Sequence, residues 1–496
     1  MLYRYFLMAL FVATGSVYLF AQAPSALPSP INTPLGDEVF PSVSADGKSL
    51  LLLSNYGEDK PYPVISYLKG GVWTRPEEIS SFTEGNFKLN NNTGFNFSPD
   101  GNTIFFSSNK YGGLGNNDIW YMEKNNSGKW SAPANPGKPL NTAGNEADPS
   151  LSPDGKTLFF VRYTDKKTPS GLPCGKIYTA QRIKNNSYKE AIELPASINA
   201  GCECAPKILS DGKTLFFASV RNGGKGGYDQ YVSKMKNDGT WSTPVPLALV
   251  NTPEDDIYIS VPAAGDLVYF TKTITKSKDI VRARIPNELQ PDPVVLIQGI
   301  VNDENKKSIA SSILVTNTSA KKLSAVHSLY ADENIFLILP KGNNYDVSFY
   351  GSEKGYYYQS HRYELDTLSK FKNETLNITL KSLHSSRTFK IADASQNIQD
   401  INFELDKLSR VLQENSNLTI EISILLPKPA EELKDSTEIT GIPTISEPIE
   451  KKICEDVVAY LKKKGLNNIN IINTGIVYPE HVTEESFSYL QLKVNK

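Results

Sequence analysis

The sequence predicts a multidomain, mainly β protein: a five-bladed β-propeller, then a small antiparallel β-sandwich, then an α/β sandwich. Three observations predict it. An Asp-Gly hairpin signal recurs at near-equal steps through the first part of the chain. The 496 residues are rich in Gly (33), Pro (31), Tyr (25) and Phe (21) but hold four Met and four Trp, which favours strands between frequent turns over helix bundles. Apolar residues at helical spacing enter only after about residue 385. The length exceeds what one ordinary core serves, so more than one domain is expected.

The repeat unit is a small or polar residue, then Asp-Gly, then an apolar run. It stands as Ser44-Ala45-Asp46-Gly47 before Leu50–Ser54, Ser98-Pro99-Asp100-Gly101 before Ile104-Phe105-Phe106, and Ser152-Pro153-Asp154-Gly155 before Leu158-Phe159-Phe160. Ser210-Asp211-Gly212 precedes Leu215-Phe216-Phe217, and a worn copy, Ala264-Gly265-Asp266, precedes Leu267–Phe270. The glycines stand at 47, 101, 155, 212 and 265, in steps of 54, 54, 57 and 53. That period suits a four-stranded blade with generous loops. Asp-Gly marks a tight hairpin because Gly accepts positive φ and Asp bonds its own backbone. A third strand opens with Asp at 118, 229 and 279, and an aromatic marks the outer strand at Trp73, Trp130, Tyr188 and Trp241. Four strands per repeat are thereby assigned, and a sixth blade from unrecognised strands stays open. The glycine-rich turns at 112–115 and 223–227 lie between strands and lack a Gly-Lys-Ser/Thr ending, so they do not read as phosphate loops. The recurring Asp reads as a turn cap or interblade hydrogen bond.

The Ser-Pro-Asp-Gly pattern around Asp100 and Asp154, with Gly-Gly-x-Gly-x-x-Asp-Ile after it, resembles the WD40-like PD40 repeats of TolB-type propellers over roughly residues 35–290. The resemblance implies a propeller at 35–288 that presents a face to partners.

Three prolines in 286–293 mark a linker. Strands at 294–301 and 312–315 and the turn-rich stretch Gly342–Tyr356 predict an antiparallel sandwich over 294–382, which resembles a carboxypeptidase regulatory-like domain. Beyond it Ile401, Leu405, Leu408 and Leu412 recur at helical spacing, a strand follows at 418–423, and a second helix holds Val457, Val458, Tyr460 and Leu461 and stops at Lys464-Gly465. Strands at 469–472 and 489–494 complete an α/β order over 385–496. This order resembles the OmpA-like domain, in which an Asp ending the first strand and an Arg on the second helix grip the diaminopimelate residue of peptidoglycan. Pro427 stands at the Asp position and Ile453 at the Arg position, and neither can pair with an ammonium or a carboxylate. The resemblance implies the fold with a degenerate site, leaving Lys451 and Lys452 as cations for any wall binding. The domain order is similar to that of PorE-type envelope proteins of Bacteroidota. That implies unidentified envelope protein partners, a periplasmic place near the outer membrane or cell wall, and a role in type IX secretion or gliding-type machinery.

Arg4, the uncharged stretch 5–20 and Ala21-Gln22-Ala23 read as an export signal over 1–23, cut after Ala23 or Ala21, with an uncleaved anchor as the alternative. No later segment is apolar enough to span a bilayer. In an oxidising compartment Cys174 can pair with Cys202 or with Cys204, while C-x-C without partner ligands is not a zinc motif. A net charge of −2 gives no field that would draw in nucleic acid. There is no G-x-S-x-G elbow and no H-E-x-x-H. The four histidines, His327, His361, His384 and His481, lie outside the propeller and are not spaced as metal ligands. The expectation is a scaffold without catalysis, cofactor or metal. A peptidoglycan tether and a carbohydrate-active propeller, whose site would assemble at the central channel, are the alternatives.

Overall fold

The computed structural model describes residues 23–34, 36–56, 61–83, 93–109, 112–125, 127–183, 186–274, 276–383, 387–393, 398–425, 447–467, 470–477 and 489–495. Residues 1–22 of the expected export signal, Pro427, His384 and His481 lie outside them. A break between Asp292 and Pro293 divides the chain into two compact units.

The first unit is a β-propeller built of successive antiparallel sheets. Sheet one joins Glu38–Val43, Ser49–Ser54 and Tyr62–Lys69, with Val72–Trp73 and Glu77–Glu78 outside. Sheet two joins Thr93–Phe97, Thr103–Ser108 and Asp118–Glu123, and Ala134 bridges its outer strand at Tyr121. Sheet three is Asn145–Leu151, Thr157–Lys167, Pro173–Gln181 and Ile192–Glu193, and sheet four is Glu203–Ile208, Thr214–Ser219, Asp229–Lys234 and Val245–Pro246. Sheet five joins Leu267–Ile274 to Ser277–Arg284. Its inner neighbour is a bridge at Ser260, and its outer strand is Ser25–Ala26 from the start of the chain. That strand precedes the first Asp-Gly copy and closes the ring.

Burial explains why the repeats stack. The second strands are the most apolar and the most buried: Leu50–Leu52, Ile104–Phe106, Leu158, Phe160 and Leu215–Phe217 are at most 1% exposed. Their alternate side chains fill successive intersheet cores. Leu51 packs with Phe95 and Phe106, Phe105 with Leu158 and Phe160, Phe159 with Leu215 and Phe217, and Phe216 with Val268 and Phe270. The last core joins Leu27, Ile31, Leu50 and Leu52 to Tyr269 and Ile280. Each buried Phe or Leu contributes roughly 1.5–3 kcal/mol, and a sheet hides either face only by packing on a neighbour.

The hairpin signals are realised: Gly47, Gly101, Gly155, Gly212 and Gly265 all have φ between 68° and 73°. The Ser hydroxyl donates to the turn Asp, at 2.6 Å for Ser44–Asp46 and Ser152–Asp154, and accepts a backbone N–H in return. At two of its three positions the strand-opening Asp is a turn cap, as read, whereas Asp279 lies inside strand Ser277–Arg284 and takes the hydroxyl of Ser277. Asp118 accepts the N–H groups of Leu114 and Gly115, and Asp229 those of Lys225 and Gly226.

A second repeat escapes a reading of composition. Ile31-Asn32, Leu140-Asn141, Ile198-Asn199 and Val250-Asn251 each place an Asn against a third strand. The side chain of Asn141 accepts from Ile119 N–H (2.8 Å) and donates to Ile119 C=O (2.9 Å). Asn199 does the same at Ile177, Asn251 at Gln230, and Asn32 at Ile280, on the closing sheet.

The second unit holds two layers of β-structure and two helices. The sandwich pairs the sheet Lys322–Leu329, Ser311–Asn317, Asn344–Gly351 and Gln359–Glu364 with strands on the other side of the core. The antiparallel expectation is corrected here. Val294–Gly299 runs parallel to Lys372–Thr375, and Val301–Asp303 parallel to Ile378–Leu380, because the chain leaves the first sheet, builds the second and returns in the original direction. The α/β part is a four-stranded sheet in the order Thr388–Asp393, Tyr489–Asn495, Thr419–Leu425, Asn470–Val477, with helices Ile398–Glu414 and Glu447–Lys463. Ile401, Leu405, Leu408 and Leu412 are at most 2% exposed. Sandwich and α/β part share one core, in which Tyr357 stacks on Phe389 at 4.1 Å. A buried ion cluster crosses the same junction. Lys407 Nζ lies 2.6 Å from Asp346 and 3.1 Å from Glu404, and Glu404 also takes Arg362 (2.8 Å) and the hydroxyl of Tyr358 (3.0 Å).

Candidate functional site

The inner strands of the propeller meet at a central channel, and the repeat dictates its lining. Seven residues before each turn glycine the inner strand turns through a left-handed residue: Phe40 (φ 57°), Gly94 (65°), Asp148 (54°), Ala205 (46°) and Tyr258 (58°). At the first four the pairing register shifts, as at a β-bulge. The bulge re-aims these residues toward the centre. Gly94 is required there, because a Cβ would come within 2.7 Å of Asp148 Cα.

Five residues before each turn glycine stands a polar belt: Ser42, Asn96, Ser150, Lys207 and Ser260. Ser42 Oγ accepts from Phe97 N–H (3.1 Å), Ser150 Oγ from Ile208 N–H (3.2 Å) and Ser260 Oγ from Val43 N–H (2.8 Å). Each belt serine thereby ties the next inner strand of the ring.

Two residues break these patterns and are the candidates. Asp148 is the one carboxylate among the bulge residues. Its carboxylate accepts the hydroxyls of Tyr163 (2.9 Å) and Tyr258 (2.8 Å) and the N–H of Ala205 (3.1 Å), so three sheets converge on it. Burial pushes its pKa up, against the lowering effect of those donors, and burial pushes the Tyr163 hydroxyl up as well. Lys207 replaces a belt hydroxyl with a group that can only donate. Its ammonium reaches across to the Asn96 carbonyl oxygen, which also accepts from Ser42. Burial lowers its pKa from the ordinary 10.5 to about 8.

Asp148 and Lys207 line the same cavity of about 20 Å³, with Phe40, Gly94 and Tyr258, and Lys207 also borders a second space of about 30 Å³ toward the other end. Such spaces hold about one water each and no sugar ring. These two spaces can order a water between Asp148 and Lys207. Nothing in composition pointed to Asp148 or Lys207. The available signal was positional: they stand at fixed offsets from the Asp-Gly turns, where the other copies carry Phe, Gly, Ala, Tyr, Ser or Asn.

The remaining sequence candidates fall elsewhere. Ile453 is half-buried on helix Glu447–Lys463 and packs against the core of the second unit. His327 and His361 sit on sandwich strands. Cys174 is bonded to Cys202, with Cα atoms 4.7 Å apart, and Cys204 is a buried free thiol. The disulfide ties sheet three to the entry of sheet four. Among the described residues no helix is long and apolar enough to cross a membrane.

Ring of sheets, bulged inner strands and closing N-terminal strand together define a β-propeller protein. No family model matches the chain and no curated protein matches it. Solved structures with a similar fold include a TolB protein from Agrobacterium tumefaciens, 17% identical over 61% of this chain and 90% of its own, TM-score 0.31. They also include the GH43 endo-arabinanase from Bacillus licheniformis, 13% identical over 50% and 93%, TM-score 0.34, and an α-L-arabinofuranosidase from Lactobacillus brevis, 14% identical over 51% and 92%, TM-score 0.35. The expectation of a chain without catalysis is corrected on this finding. Several of these propellers are glycoside hydrolases, so the absence of sequence motifs for hydrolysis does not exclude an enzymatic propeller, whose site would be assembled from separate sheets.

Proposed function

We propose that the chain is a cell-envelope scaffold, in which five sheets form the complete set of five blades and one face of the ring holds a protein partner. The second unit, a regulatory-like sandwich fused to an OmpA-like α/β sandwich, positions that face near the outer membrane or cell wall. A machinery of the type IX secretion or gliding kind is the proposed setting. The observation that carries the reading is the filled channel: with room for single waters at the centre, recognition is left to the rim loops and sheet edges. The Cys174–Cys202 disulfide supports an oxidising compartment. Ile453, packed against a core, does not favour a peptidoglycan tether.

The test is cross-linking in intact cells with photoreactive groups on the propeller rim, combined with fractionation and thiol labelling. The expected result is one discrete cross-linked envelope protein and a protected Cys174–Cys202 pair. Cytoplasmic protein with both thiols labelled and no adduct at any rim position would refute the reading.

A further inference from the structure

Sheet five departs from its siblings at one place. Nine residues before the turn glycine, sheets one, three and four carry an acid that ties the inner strand to the second strand. Glu38 accepts Ser54 Oγ at 3.2 Å, Glu203 accepts Ser219 Oγ at 3.1 Å, and Glu146 pairs with Arg162 at 3.2 Å. In sheet five the acid is Asp256 and its counterpart is Lys272. Among the described contacts Asp256 makes no such tie, although its bonds to Thr252 and Tyr228 repeat those of Glu146 to Thr142 and Asn117. Its carboxylate takes the N–H and hydroxyl of Thr252, its N–H donates to Tyr228 C=O (2.6 Å), and its C=O accepts Gln230 Nε2 (3.0 Å). Asp255 adds a bond from Tyr228 N–H (2.8 Å). These contacts hold segment 252–257 against sheet four.

What sets sheet five apart is the pairing itself: ahead of Ser260 no described residue of the inner segment pairs with the second strand. Among the described residues, Ser260–Tyr269 is the only bridge between that segment and strand Leu267–Ile274. Tyr269 exchanges both hydrogen bonds with Ser260 at 2.8 Å. Antiparallel alternation turns the N–H and C=O of Thr271 and Thr273 to the same side, where no described strand pairs with them. Lys272 and Thr273 are exposed, whereas the residues matching Lys272 in sheets one, two and four, Ser54, Ser108 and Ser219, are 0–2% exposed. A groove of about 340 Å³ fills the gap, with Phe40, Ile257 and Phe270 in its lining and Glu254, Asp255 and Lys272 along its walls.

We infer that this open edge takes up an extended peptide of a partner protein as an added strand. The assignment rests on the propeller being a protein-binding platform and names the site on it. Main-chain groups of Thr271 and Thr273 supply the ladder, and the apolar lining takes one alternate side chain. The exposed Glu254 and Asp255 on one wall call for a basic residue on the peptide at that side, away from Lys272 and Lys278. The free stretch of four residues spans roughly 13 Å of extended chain, so the recognised core is three to four residues long.

The test uses the full chain and a phage-displayed library of random decapeptides, selected on wild type and counter-selected on Thr273→Pro, which removes one edge N–H at an exposed position. Selected peptides are synthesised and titrated by fluorescence anisotropy, each also with N-methyl groups on alternate amides. The expected result is basic, alternating peptides that lose at least tenfold in affinity on Thr273→Pro. One of the two N-methylation phases should be equally harmful and the other tolerated. Binding indifferent to both changes, or no clone separating the two proteins, overturns the assignment. Dimerisation in sedimentation that Thr273→Pro abolishes also overturns it, giving the edge to a second copy. A rim cross-link that persists in Thr273→Pro sinks this site while leaving the platform reading intact.

Discussion

Replacing Asn141 by Ala removes one of the four side-chain clamps that bind each blade to the loop leading into the next. Asn141 and Ile119 are both fully buried. The substitution takes away the acceptor of Ile119 N–H, the donor to Ile119 C=O and the donor to Asn135 Oδ1 at 2.8 Å. Two main-chain groups are stranded without water, at roughly 1–3 kcal/mol each, so the expected loss is about 3 kcal/mol. Asn32 makes the same clamp but is only half-buried, so water replaces part of what Asn32→Ala removes and the loss falls to about 1–2 kcal/mol. All four tryptophans, 73, 120, 130 and 241, lie in the propeller. Urea unfolding followed by tryptophan fluorescence therefore reads this unit alone, and the thermal midpoint of Asn141→Ala should fall by about 6–10 °C. Asn141→Asp keeps the acceptor but sets a carboxylate oxygen against Ile119 C=O. It should cost at least as much at neutral pH and recover as acid protonates it. A loss below about 1 kcal/mol for Asn141→Ala would refute the claim that these buried clamps hold the blades in register.

Three further outcomes are expected. Cys174→Ser with Cys202→Ser opens a crosslink spanning 28 residues and should cost about 3.5 kcal/mol on the chain-entropy relation, read as the gap between wild type and variant in urea midpoints. Lys207 loses its proton more readily folded than unfolded, so between pH 8 and 10.5 the unfolded chain binds the extra proton and stability must rise with pH. Lys207→Met should abolish that rise over pH 8 to 9.5, and an unchanged slope would show that the lysine titrates normally. Lys407→Met leaves the fully buried Asp346 to Arg362, at 3.8 Å, and the Ser348 hydroxyl and should cost the second unit about 3 kcal/mol, with Asp346→Asn in the same chain restoring part of it, as followed by circular dichroism.

The hairpins were legible because their chemistry is local: positive φ at Gly47 through Gly265 and an Asp that bonds its own turn recur whatever surrounds them. The bulge residues keep the same spacing but not the same identity, since Phe40, Gly94, Asp148, Ala205 and Tyr258 share a backbone conformation rather than a side chain. The clamps were hidden for the opposite reason. Asn is an ordinary loop residue, and its significance lies in a strand about 20 residues upstream, or 248 residues away for Asn32. The parallel pairs of the sandwich were illegible because alternation fixes which face is buried and not which way a returning strand runs. Helix Ile398–Glu414 follows its apolar spacing, but that spacing says nothing of Glu404 and Lys407, which cross a buried junction. As for the channel, one acid and one lysine out of 54 acidic and 52 basic residues become distinctive only when five strands bring them together.

The closing strand Ser25–Ala26 meets Val281 and Arg282, and this sets an order of events as the chain folds. Made ahead of the repeats it closes, this segment cannot dock until the last of them exists, so the greasy residues Leu27 and Ile31 must wait through the synthesis of some 250 residues. Contacts of that span slow folding. A nascent ring with its latch unfastened is the form most exposed to mispairing, and a carrier or chaperone that shields the amino-terminal segment until residue 285 has emerged would act where this architecture is most vulnerable.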